Sequence, residues 1–125
     1  MSQGQPTVLI LDESPVLTLQ LQRQLMTLGY TATSLVPISG FHQQLAHNSV
    51  VFVELMLSQN NGFQLIRALA NLPHVSLFLL TGTKRSTDLQ WGLCAGAKAV
   101  LKRPLTLAVL RDALQSVQLL PIPVE

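Results

Sequence analysis

The chain has 125 residues, 48% of them apolar and 11% charged, which suits one domain with a single buried core and excludes a disordered chain. A formal charge of +2, with one Trp, one Tyr and four Phe, excludes the basic, aromatic-rich surfaces that hold nucleic acid. No apolar run approaches the roughly 20 residues that cross a bilayer, the first residues lack a signal-peptide pattern, and a lone Cys94 cannot form an internal disulfide. We therefore expect a cytoplasmic protein with neither a membrane nor a nucleic-acid partner.

In chain order, Thr7 to Leu11 forms an apolar strand that ends abruptly at Asp12-Glu13. Ser14-Pro15 then starts a helix, Ser as N-cap and Pro at the first helical position. Leu17, Leu21, Leu25 and Leu28 share one face of it, and Gly29 stops it. Thr31 to Val36 reads as a second strand, and Pro37 to His47 as a short helix with Phe41 and Leu45 inward. Val50-Val51-Phe52-Val53 is continuously apolar, as in a strand covered on both faces, and delivers Glu54 at its carboxyl end. Asn61-Gly62 follows, then a helix from Phe63 to Leu72 stopped by Pro73.

Val75 to Leu80 is a fourth strand ending at Thr81-Gly82, and Ser86 to Cys94 a fourth helix in which Cys94 is expected to pack. Ala99-Val100-Leu101 opens a fifth strand that reaches Lys102-Arg103-Pro104. Thr106 caps a last helix with Leu107, Leu110, Leu114 and Val117 along its core face. We read one domain over 1–125, with a core of about 7–118 and a Pro-containing tail at 119–125.

Strands alternating with helices imply a doubly wound parallel sheet, flavodoxin-like (βα)5 with strand order 2-1-3-4-5. In that fold the carboxyl ends of four strands face one crevice, which collects Asp12, Glu13, Glu54, Thr81 and Arg103.

These residues, with Leu55-Met56-Leu57, Asn61-Gly62-Phe63, Gly96-Ala97 and Arg103-Pro104, make the chain resemble the receiver domains of two-component response regulators. The segment around Trp91-Gly92, with Gly96-Ala97 after it, is similar to single-domain regulators of twitching motility. The resemblance implies an acid pair that holds Mg²⁺, here Asp12 and Glu13, with the backbone carbonyl of Met56 completing the site. It implies a phospho-accepting aspartate on the third strand, a hydroxyl at Thr81, and a lysine before the proline. It also makes the Arg103-Pro104 bond a candidate cis peptide.

Three positions depart from that pattern. Glu54 stands where the family has its phospho-accepting aspartate, and its extra methylene displaces the carboxylate by more than an ångström, enough to cost in-line chemistry about a hundredfold. Arg103 stands where the family has lysine; Lys102 is one residue off and faces the other side of the strand. A guanidinium suits a permanent, bidentate pair with Glu54. Val100 replaces the aromatic ring that reports phosphorylation.

The leading expectation is thus a phosphorylation-independent pseudo-receiver that is not an enzyme and binds a histidine kinase, an output protein or a second copy of itself. Its contact face would include Trp91, Val100, Ala108 and Val109. The alternative is a metal-binding or still phosphorylatable switch built on Asp12, Glu13 and Thr81, with Mg²⁺ as its cofactor. A flavodoxin-like enzyme or cofactor carrier is disfavoured: Asp12-Glu13-Ser14-Pro15 repels phosphate where that class needs a cradle.

Overall fold

The computed structural model describes residues 7–35, 49–58, 61–72, 74–82 and 85–118. Its strands are β1 (Thr7–Leu11), β2 (Ala32–Ser34), β3 (Ser49–Glu54), β4 (Val75–Thr81) and β5 (Ala99–Lys102). Its helices are α1 (Pro15–Thr27), α2 (Gly62–Leu69), α3 (Ser86–Ala95) and α4 (Leu107–Gln118). All strand pairs are parallel, in the order β2-β1-β3-β4-β5. The flavodoxin-like sheet expected from the sequence is the one observed. The helix expected at Pro37 to His47 lies outside the described residues, as do Val36 and Pro73.

Alternation along the strands sorts the core into two layers. Val8, Ile10, Val50, Phe52, Phe78, Leu80 and Leu101 meet Leu21 and Leu25 of α1 and Leu110, Ala113 and Leu114 of α4. Leu9, Leu11, Val51, Val53, Leu77 and Leu79 meet Leu65, Ile66 and Leu69 of α2 and Ala95 of α3. Burial on both faces explains why β3 and β4 read as unbroken apolar runs. Phe52 and Phe78 are register partners, and their rings stack at 5.5 Å.

Polar side chains start three of the helices. The Ser14 hydroxyl accepts from the Leu17 N–H (3.2 Å), Asn61 Oδ1 from Gln64 N–H (3.0 Å), and Thr106 Oγ1 from Val109 N–H (3.1 Å). Gly29, at φ +94°, follows α1. The second helix ends at Leu69 with Ala70 as C-cap, short of the expected Leu72.

Two expectations about side chains fail. Leu107 is 41% exposed, because the buried face of α4 is set by Leu110, Ala113 and Leu114, and Leu107 sits at its rim. Cys94 is exposed, since α3 buries Asp88, Gly92 and Ala95 and turns Cys94 outward.

Candidate functional site

Three residues continue one row of the sheet at its strand ends. Asp12 lies two residues beyond Ile10, Glu54 two beyond Phe52, and Arg103 two beyond Leu101, all in the layer covered by α1 and α4. Period two therefore aims their side chains at one spot. Arg103 Nη2 donates to Asp12 Oδ2 at 2.8 Å and lies 3.2 Å from Glu54 Oε1, to which Nε also donates at 3.3 Å. The three side chains are 14%, 4% and 11% exposed, so these are buried ion pairs. The guanidinium bridges two carboxylates rather than gripping Glu54 with a two-oxygen fork, because Asp12 competes for Nη2.

The remaining carboxylate oxygens are also taken. Asp12 Oδ1 accepts from the Ser14 N–H (3.0 Å), and Glu54 Oε2 from the Met56 N–H (3.0 Å). Glu13 is exposed and does not join this group. Its Oε1 accepts from the Ser58 N–H and its Oε2 from the Ser58 hydroxyl, each at 2.8 Å. All six oxygens of the three acids thus accept a hydrogen bond from the protein.

The other candidate residues are placed as follows. Lys102 is exposed, its Nζ donating to the Arg103 carbonyl at 3.3 Å, and it takes no part in the ion-pair group. The peptide bond between Arg103 and Pro104 is cis. Thr81 is buried and belongs to the opposite row, after Leu77 and Leu79; its carbonyl accepts from the Arg103 N–H at 2.8 Å. The Met56 side chain is 73% exposed.

Val100 packs against the core on the α3 side, where a Cβ on Gly92 would come within 2.6 Å of it. It is therefore half-buried rather than part of an open face. Trp91, 62% exposed, leans edge-on against Phe63 of α2 at 5.8 Å, so it marks the α2 flank of α3 and not the expected contact face. Ala108 and Val109 are exposed.

Sequence reasoning missed Ser58, whose contact with Glu13 spans 45 positions and has no local signature. It also missed Leu89 and Leu93, 45% and 44% exposed on the flank of α3 away from Trp91. Their i, i+4 spacing is a signal that was available.

A row of strand ends carrying two acids and a cation, in a 2-1-3-4-5 sheet, has a family counterpart. The family model of the response regulator receiver domain matches residues 8–115. The chain belongs to this family.

The TorCAD operon transcriptional regulatory protein TorR of Escherichia coli (strain K12) is 30% identical to this receiver over 102 residues, covering 80% of this chain and 44% of TorR. The sensor protein EvgS of the same strain is 30% identical over 114 residues, covering 86% of this chain and 9% of EvgS. The chain thus spans less than half the length of either relative. A two-component response regulator from Clostridium difficile shares the fold, with a TM-score of 0.79 at 19% identity over 93% of this chain and 98% of that one. No helix of the described residues is long and apolar enough to cross a membrane.

Receivers bind Mg²⁺ through acids at these strand ends, a role that needs carboxylate oxygens directed at one point. The receiver's residues, as arranged, do not fit that ion. A guanidinium nitrogen occupies the space between Asp12 and Glu54, and Glu13 is turned to Ser58. Among the described residues no three His, Cys, Asp or Glu side chains are grouped to hold a metal.

Proposed function

We propose that this receiver is a phosphorylation-independent protein-interaction module of bacterial two-component signalling, a binding unit without catalytic turnover. One observation carries the reading: the Glu54 carboxylate, at the phospho-acceptor position, is committed to Arg103 through Oε1 and to the Met56 N–H through Oε2. A phosphoryl acceptor needs an oxygen free to attack in line, and Glu54 has both tied down in a buried ion-pair group. The family's signal depends on charge that comes and goes. Here the negative charge is permanent and already neutralised by a cation that never deprotonates.

The partner is a histidine kinase, an output protein or a second copy of the chain, met at the edge where α3, β5 and α4 expose Leu89, Leu93 and Val109. This surface is expected to keep one shape. Adding Mg²⁺ and acetyl phosphate to ¹⁵N-labelled protein should leave the amide resonances of Leu89, Val100 and Val109 in place. Saturating shifts at those amides that require both Mg²⁺ and acetyl phosphate would overturn the reading.

A further inference from the structure

Acids crowded at one mouth repel one another until a cation joins them or one takes a proton. This crevice solves the problem from within, in two different ways. Arg103 lies against both Asp12 and Glu54, which are buried, and supplies positive charge to the pair. Glu13, the next residue after Asp12, is instead held outside by the backbone N–H and hydroxyl of Ser58. The clasp ties the turn after β1 to the turn after β3 and leaves no acceptor oxygen of Glu13 without a donor.

We infer that Arg103 and Ser58 together exclude divalent cations from the crevice, Arg103 as the resident counter-ion of Asp12 and Glu54, and Ser58 as the holder of the third acid. The inference rests on the fixed-charge reading of Glu54 and extends it to the metal. It assigns to Ser58, an exposed loop residue outside the acid, hydroxyl and cation positions, control over whether Glu13 can turn inward.

A cleft of about 560 Å³ opens between α1 and the turn after β5, lined by Leu17, Leu21, Gly82, Arg103, Pro104 and Leu105. Arg103 is at once a wall of this cleft and the partner of the two buried acids. Shortening its side chain joins the cleft to Asp12 and Glu54 and leaves two buried carboxylates without a counter-charge, an arrangement that draws in a cation. That ion still meets only two carboxylates unless Glu13 is released. Hard divalent cations gain affinity with each added carboxylate, so the two restraints should act together rather than independently.

The test is a Mn²⁺ titration of the full chain, read by water-proton relaxation and by the shift in melting temperature. Four proteins are compared: wild type, Ser58→Ala, Arg103→Ala and the double variant. Wild type should show no binding up to about 10 mM, beyond the roughly millimolar range of weak hard-oxygen sites. The double variant should bind with a dissociation constant of about 0.1–1 mM and melt higher in Mn²⁺. Each single variant should bind at least about tenfold more weakly than the double.

Where Arg103→Ala does not fold, Arg103→Gln replaces it, keeping a hydrogen-bond donor near both acids but no charge. Wild-type binding anywhere below about 10 mM overturns the inference. So does a folded double variant that ignores Mn²⁺, or a single variant that binds as tightly as the double. Wild-type protein that binds Mn²⁺ yet gains no phosphoryl group refutes this inference alone; phosphoryl gain at Glu54 refutes the interaction-module reading itself.

Discussion

At Arg103, which stands where the family has lysine, a guanidinium pairs with both Asp12 and Glu54. Removing one partner of a buried pair leaves the other charge uncompensated, so Arg103→Ala should lower stability by about 3–5 kcal/mol in urea denaturation. Its neighbour Lys102 is exposed, and Lys102→Ala should change stability by no more than about 0.5 kcal/mol. Equal losses from the two substitutions would show that the ion-pair group carries no weight. The choice between these adjacent cations was legible in the sequence, because strand alternation decides which one faces the crevice. The Glu13–Ser58 clasp was not: both residues are polar and exposed, and neither belongs to a repeating pattern. Nor was the sharing of Arg103, since the expected fork with Glu54 overlooked Asp12 as a second acceptor on the same row.

The elements position these side chains through close backbone approach. A Cβ on Gly62 would stand 2.6 Å from the Glu54 carbonyl oxygen and 2.7 Å from Leu55 Cα, both backbone atoms that cannot step aside. Gly62 thus lets the first turn of α2 sit against the end of β3, while the Asn61 side chain caps the helix beside it. Gly62→Ala should cost about 1–3 kcal/mol by overpacking. Gly82→Ala, where a Cβ meets nothing within 4 Å, should stay within about 0.5 kcal/mol, and thermal melting of the two variants checks the contrast. Helix starts at Ser14 and Thr106 were readable, because capping is local chemistry, whereas Asn61 was read as the end of a turn and not as a cap. The inner face of α3 was harder to read. Leu89, Trp91 and Leu93 lie outside its buried row, so apolar spacing alone does not pick out Asp88, Gly92 and Ala95.

For the molecule as a whole, the sheet brings together residues far apart in the chain. The strand order sets β1 beside β3 and β5 on the far side of β4, so Asp12 and Glu54 end adjacent strands and the long Arg103 side chain reaches both, although up to 91 positions separate them. That meeting was legible because right-handed crossovers leave few ways to connect such strands, and helix cover on both faces fits the order 2-1-3-4-5. The fold is therefore the family's, whereas the chemistry at its crevice is set by individual residues. The most direct measurement of the central claim is intact mass after incubation with Mg²⁺ and acetyl phosphate. Wild-type protein should keep its unmodified mass. A gain of one phosphoryl group that disappears in Glu54→Gln would contradict the account.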